Sequence, residues 1–292
     1  MLQSVGTNTF SDSGCARTTT YCYQVSAVDA SVYESGLTDQ QCGAIYNISY
    51  DPYSLASSLT WDGQYIWVSN YVEGGLGGGS RKIYKYDITS GLSAGNIPSP
   101  SDWTSSLCYD GTYIDLVDYT DSGLQIFRIS KDDGTIVSSF PIDYSPAQYG
   151  LAWDGQYLYL ATYDLGVDNQ PVSRIYKYDP SNGANMGIIY TRYGSYDPAS
   201  GGIYSTIEGL TYNDASLWVL VDPDVGGGPF KIINISLDGQ ELSTMDVPDS
   251  ENNTNSITGL TYIQDAFWYI RTTYINFDTG LVPNTELVRF AP

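Results

Sequence analysis

Leu59-Thr60-Trp61-Asp62-Gly63-Gln64-Tyr65-Ile66-Trp67-Val68 recurs as Leu151-Ala152-Trp153-Asp154-Gly155-Gln156-Tyr157-Leu158-Tyr159-Leu160. Weaker copies begin at Leu107, Leu210 and Leu260, and the aromatic that follows the small residue falls at Trp61, Tyr109, Trp153, Tyr212 and Tyr262. The intervals of 48, 44, 59 and 50 residues match one four-stranded unit per repeat. Each copy reads as a short strand, a tight turn and a second strand. Asp-Gly at 62–63, 110–111 and 154–155 supplies turn residues that tolerate positive φ.

A third strand follows each copy: 83–87, 126–130, 175–179, 232–236 and 287–291. Its middle residue is Lys85, Arg128, Lys177, Asn234 or Arg289, a polar position between apolar neighbours, which is the period-2 mark of a sheet with one face more exposed. Turn residues then lead to a fourth strand, as at 135–142 and 186–193. The fifth repeat stops at Pro292, directly after its third strand. A strand-like run at 44–50 precedes the first repeat and is the expected outer strand of the last. Placed there it pairs the open edge and joins the two ends of a ring. The sequence therefore predicts an all-β, five-bladed β-propeller over residues 44–292.

The repeats resemble the LTWDGxYLWV…KIYKYDP blades of extracellular bacterial and archaeal propellers across roughly residues 44–292. Five-bladed glutaminyl cyclases are one enzymatic group with this architecture, but no catalytic set of theirs maps onto this chain. Residues 1–43 carry a different likeness. Asn8 to Gly14, Thr20 to Ala30 and Glu34-Ser35-Gly36 resemble the last strands of a fibronectin type III module, whose early strands are absent here. That resemblance implies a partial, fibronectin-like arm with Tyr21, Tyr23, Val25 and Ala27 on its inward face.

Composition narrows the chemistry. The net charge is −21, with 12 Lys+Arg against 33 Asp+Glu, which speaks against a nucleic-acid partner. Only 15% of residues are charged while 28 are Tyr, a strand former with a polar tip suited to wet sheet faces. The chain contains no histidine, which excludes Ser-His-Asp and Cys-His catalysis and removes the commonest zinc ligand. Cys15, Cys22 and Cys42 crowd near the N-terminus, apart from Cys108, and point to a disulfide and an oxidising, extracellular location. No apolar run reaches the ~20 residues of a membrane span. Met1-Leu2-Gln3 opens no signal peptide, so an export signal is expected to have been removed, or the chain to be a fragment.

Function is expected on the face that gathers the variable segments 71–80, 119–123, 163–173, 222–229 and 273–285, with the interblade stretches 194–209 and 248–259. Tyr71, Tyr119, Tyr163, Asp164, Asp222, Asp224 and Tyr274 are its candidate ligand residues, because tyrosine rings beside acids suit sugars. Asp222, Asp224 and Asp164 also offer oxygen ligands for Ca²⁺, without matching a defined calcium loop; no other cofactor is expected. Asp115 stands where the other repeats are read to place Trp67, Tyr159, Val219 and Tyr269. It reads as a buried functional acid, as a side chain pointing to solvent, or as a partner for a cation on the neighbouring blade. Glu208 is the one Glu directly before a repeat. The glycine runs at 74–79 and 226–228 read as hairpin tips, since no Lys-Ser/Thr and helix follow. Asn47, Asn234 and Asn252 head glycosylation sequons.

Three functional expectations follow. The first is a non-catalytic extracellular binding or adhesion module, holding a glycan or protein at its loop face. The second is a structural subunit of a surface layer, appendage or filament, self-assembling through the N-terminal arm. The third is a glutaminyl cyclase-like or glycan-active enzyme, which requires converging carboxylates in a central pocket.

Overall fold

The computed structural model describes residues 21–24, 26–28, 35–37, 41–47, 54–72, 82–100, 104–120, 123–142, 147–166, 170–197, 202–204, 206–223, 227–248, 250, 255–277 and 280–291. Strands β1 (Tyr21–Tyr23) and β2 (Gln41–Asn47) come first. The first blade holds β3 (Ser54–Trp61), β4 (Tyr65–Val72), β5 (Lys82–Asp87) and β6 (Ser93–Pro98). The second holds β7 (Ser106–Tyr109), β8 (Tyr113–Thr120), β9 (Gly123–Ser130) and β10 (Ile136–Pro141). The third holds β11 (Ala147–Trp153), β12 (Leu158–Leu165), β13 (Pro171–Asp179) and β14 (Ala184–Tyr193). A small ribbon of β15 (Ser195–Asp197) and β16 (Gly202–Tyr204) intervenes. The fourth blade holds β17 (Ile207–Asn213), β18 (Ser216–Val221), β19 (Lys231–Ser236) and β20 (Glu241–Asp246). β21 (Asn255–Ile263), β22 (Ala266–Phe277) and β23 (Gly280–Phe290) complete the order, in a sheet that runs β1-β2-β23-β22-β21. The architecture is an all-β, five-bladed propeller.

The inner strands of the blades meet at a column of small residues. A Cβ on Gly150 would lie 2.6 Å from the Leu210 backbone nitrogen, and one on Gly209 would lie 2.7 Å from the Gly259 carbonyl carbon. One on Gly259 would lie 3.1 Å from Ser58 Cα, which brings the fifth blade against the first. In the first two blades the same column holds Ser58 and Ser106, both buried. The Ser58 hydroxyl accepts the Leu107 N–H at 3.1 Å, joining the first blade to the second. Two positions on, Thr60 Oγ1 accepts the Tyr109 N–H at 3.0 Å. At four of the five junctions the inner strand thus seats on the next through close contacts at small side chains.

Both faces of a blade are covered by neighbours, so the middle of its second strand is largely buried. Ile66, Trp67, Val68 and Ser69 are each at most 2% exposed, whereas the outer strands β10, β14 and β20 are largely exposed. The first three blades turn from first to second strand over Asp-Gly: Gly63, Gly111 and Gly155 take φ near +95° to +98°, and the Asp carboxylate accepts two backbone N–H groups. The fourth and fifth blades use two residues of positive φ instead, Asp214-Ala215 and Gln264-Asp265.

The polar middle position of the third strand has a partner on the second strand. Pairing sets Lys85 opposite Trp67, Arg128 opposite Asp115, Lys177 opposite Tyr159, Asn234 opposite Trp218 and Arg289 opposite Trp268. The Lys85 ammonium lies 5.5 Å from the Trp67 ring and the Lys177 ammonium 3.8 Å from the Tyr157 ring, so the cations cover aromatic faces. This register corrects the sequence reading of Asp115. Its counterparts are Trp218 and Trp268, not Val219 and Tyr269, and its cation belongs to its own blade. Arg128 donates to both Asp115 oxygens at 2.9 and 3.0 Å and reaches Asp110 at 3.0 Å. Burial pushes the Asp115 carboxyl up to about 6, against the pull of that guanidinium, so the pair is ionic at neutral pH.

Stretches expected as loops contain strand, two of them most extensively. Residues 273–277 and 280–285 extend the β22–β23 hairpin, and 194–209 contains the β15–β16 ribbon and the start of β17. Cross-strand pairing, long in β22–β23 and three residues in β15–β16, holds these segments where the polarity of the sequence reads as loop. Arg128→Leu is expected to destabilise the fold by about 3–5 kcal/mol in urea unfolding, because Asp115 is left buried at 1% exposure without its cation. Pairing Asp115→Tyr with Arg128→Lys recreates the third-blade arrangement and should recover most of that loss. A cost below about 1 kcal/mol for Arg128→Leu would show the pair to be energetically idle.

Candidate functional site

Where the inner strand nears the upper, long-loop face, one extra residue is inserted in each blade. The pairing skips Ser57 in β3, Tyr149 in β11 and Glu208 in β17, and shifts again after Thr258 in β21. In the second blade Ser105 and Ser106 both face Val117. Each of these residues is half-buried while its described neighbours are buried: Ala56 and Ser58, Thr104 and Ser106, Gly150, Ile207 and Gly209, Ile257 and Gly259. A bulge re-aims a side chain: the Ser57 hydroxyl meets Ser69 and donates to the Thr104 carbonyl, both at 2.9 Å, and the Ser105 and Thr258 hydroxyls donate to the Val117 and Ala56 carbonyls. The row of re-aimed residues at this level is Ser57, Ser105, Tyr149, Glu208 and Thr258, and the fourth blade contributes its one acid.

A second acid stands beside it. Asp222 directly follows β18, where the first three blades carry Tyr71, Tyr119 and Tyr163. Thr206 joins the two: its hydroxyl donates to Glu208 Oε1 at 2.9 Å and lies 3.3 Å from Asp222 Oδ1. The Thr206 N–H donates to Asp222 Oδ1, and the Asp222 N–H returns a bond to the Thr206 carbonyl at 3.0 Å. Burial, and then the Asp222 charge, push the Glu208 carboxyl from 4.5 to about 8. Burial pushes Asp222 from 3.8 to about 7, although the Thr206 hydrogen bonds and the Arg192 charge pull it down. At neutral pH the pair retains a proton, so one small site contains both a carboxylic acid donor and a carboxylate acceptor.

The third blade carries tyrosines at the equivalent positions. The Ser173 hydroxyl accepts the Ile207 N–H at 3.1 Å, and Ser173 pairs with Tyr163 across the sheet. Tyr163 meets Tyr149 edge to face, with ring centroids 6.3 Å apart. Asp164 is turned to Arg174 at 3.7 Å. Of the sequence-predicted residues, Tyr163 shares the face of β12 that packs on the fourth blade, whereas Asp164 is on the opposite face beside Arg174, and Asp222 continues the face of β18 that carries Trp218 and Leu220 toward the fifth blade. Tyr71, Tyr119 and Tyr274 sit on β4, β8 and β22 in other blades, and Asp224 lies outside the described residues. Cys15 and Asn252 lie outside them too; Asn47 is the last residue of β2, and Asn234 is half-buried on β19. Cys108 is buried in β7, where desolvation raises its thiol pKa.

Sequence reasoning singled out Glu208 and Asp222 separately and did not join them. The signal lay in comparing repeats, since only the fourth places acids at both the bulge and the second-strand exit. It also missed Thr104, whose hydroxyl donates to the buried Asp118 at 3.1 Å in a second-blade echo of the Thr206–Asp222 contact. At the opposite, Asp-Gly end of the channel, Trp61, Tyr109, Trp153, Tyr212 and Tyr262 line a cavity of about 110 Å³.

The raised carboxyls oppose folding. The unfolded chain loses these protons near pH 4, the folded protein only near pH 7 to 8, so stability falls as pH rises between those values. Glu208→Gln is expected to flatten that slope and to exceed the wild type in stability at pH 8, by on the order of 1–2 kcal/mol after allowance for solvent screening. Urea unfolding at pH 5 and pH 8 measures it. A stability difference independent of pH would mean that Glu208 is an ordinary solvated acid.

No family model and no characterised protein sequence matches the chain. Solved structures do. The glutaminyl cyclase of Myxococcus xanthus superposes with a TM-score of 0.53 at 13% identity, over 85% of this chain and 94% of that one. The WD40 repeats of RRP9 give 0.46 at 11% identity over 82% of each chain. The Pan2 WD40 domain of Neurospora crassa gives 0.39 at 10% identity, over 92% of this chain and 70% of that one. At these identities the likeness to the cyclase is one of fold: this chain is a β-propeller of the same architecture.

Proposed function

We propose that this chain is a non-catalytic extracellular binding module that holds a hydroxyl-rich glycan at the acid pair of its fourth blade. The observation that carries the reading is the pair of acids, Glu208 and Asp222, bridged by Thr206. A sugar hydroxyl both donates and accepts, and a half-protonated carboxyl pair answers both needs at one point. Tyr149 and Tyr163 supply apolar ring surface with a polar tip on the third blade. The net charge of −21 disfavours polyanionic ligands. The extracellular setting is supported by the N-terminal cysteines and by the likeness of the repeats to extracellular propellers.

The same pair favours a second reading, an enzyme related in chemistry to the glutaminyl cyclase whose architecture it shares. A carboxyl with a pKa near neutrality is suited to proton transfer. One set of proteins separates the two: wild type, Glu208→Gln and Asp222→Asn, each tested on a glycan array with calorimetry and on glutaminyl peptides for turnover. Glycan binding weakened about tenfold or more by either substitution, with no turnover, is the expected result. Turnover abolished by Glu208→Gln would replace binding with catalysis. Neither activity in the wild type would dismiss the acid pair as the site.

We infer as well that the ring is closed by an N-terminal strand, with residues 1–43 as an arm and 44–292 as the propeller. The antiparallel register of β2 on β23, from Gly43 opposite Phe290 to Asn47 opposite Glu286, supports this; residues 48–50 of the expected strand lie outside the described residues. β1 pairs with β2 of the same chain, which supports an arm packed on its own fifth blade more than one committed to a neighbouring subunit. Deleting residues 1–47 should lower the thermal midpoint by at least ~10 °C, far more than deleting residues 1–20. Equal midpoints for the two truncations would refute strand closure.

A further inference from the structure

The hairpin formed by β1 and β2 brings two cysteines to one register position. Tyr21 pairs with Gly43, Cys22 with Cys42, and Tyr23 with Gln41. Directly opposed residues of an antiparallel pair hold their Cα atoms about 4.5–5.5 Å apart, within the ~4.4–6.8 Å that a disulfide spans. Cys108 is no competitor, being buried on the inner strand of the second blade. We propose that Cys22 and Cys42 form a structural disulfide, which locks the N-terminal arm to the strand paired with the C-terminal strand β23.

Both thiols lose a proton, and two electrons pass to a disulfide donor such as oxidised glutathione, whose two sulfurs leave as thiols. The bond turns a three-residue strand pair, too short to persist alone, into a fixed edge on the fifth sheet. It also ties that edge to residues 43–47, whose partners are Glu286–Phe290. Opening the β2–β23 seam then requires β1 and β2 to leave together, rather than by fraying one strand at a time.

The test uses the full chain, folded in a reduced and oxidised glutathione buffer, alkylated and mapped by mass spectrometry without reduction. Cleavage after Arg17 separates Cys15 from Cys22, and cleavage after Glu34 separates Cys22 from Cys42, so the three pairings among Cys15, Cys22 and Cys42 give different linked peptides. The expected product is a 22–42 link with Cys15 and Cys108 alkylated. A link through Cys15, or four alkylated cysteines, would overturn the assignment. Melting curves test the lock itself. Reductant should lower the wild-type midpoint by roughly 5–10 °C and leave Cys22→Ser/Cys42→Ser unmoved at the lower value. A linked wild type whose midpoint ignores reductant would leave the bond without its proposed mechanical role.

Discussion

The close approach of five inner strands around the axis is the constraint on which the molecule depends. Gly150, Gly209 and Gly259 stand where a Cβ would strike the backbone or inner side chain of the next blade, and Ser58 instead uses its hydroxyl to bond there. With the blades that close together, both faces of each sheet are covered. The second strands become largely apolar and buried, and near the upper end of the inner strand the bulges at Ser57, Tyr149 and Glu208 re-aim side chains out of the alternating pattern. The residues gathered at that level are thus a consequence of how the blades seat on one another.

Away from the axis the blades are stiffened by a cation–aromatic column, which the second blade satisfies differently. Lys85 over Trp67 and Lys177 over Tyr157 and Tyr159 bury ring faces under an ammonium whose charge remains wet. Arg128 occupies the same third-strand position, but faces the Asp115 carboxylate and grips Asp110 as well. The buried acid that looks functional in the sequence is therefore a local exchange of one structural solution for another. A fork-shaped guanidinium makes that exchange workable, because it satisfies two carboxylates from one position.

The acids of the fourth blade have no such cation in bonding contact. Glu208 and Asp222 share a threonine, and their raised pKa values show that the fold holds them there at a cost in stability. Only one of five equivalent blades carries this pair, so the upper face has a chemical direction that the pseudo-symmetry of the scaffold lacks. That asymmetry is what singles out the fourth blade.

Repeat number, strand order within a repeat, the Asp-Gly turns and the choice of an all-β propeller were legible in the sequence, because each depends on neighbours within a few residues or on simple recurrence. Histidine-based catalysis was excluded on composition alone. The register was not legible: Trp218 and Val219 are both apolar, and alternation cannot tell faces apart in a strand buried on both sides. Nor was the pairing of Glu208 with Asp222, residues that meet because a bulge turns one side chain while a β-hairpin returns the chain to the other. Which residues recur was decided locally by the sequence; which of them touch was decided only by the sheets, since cross-strand register and blade-to-blade packing are non-local.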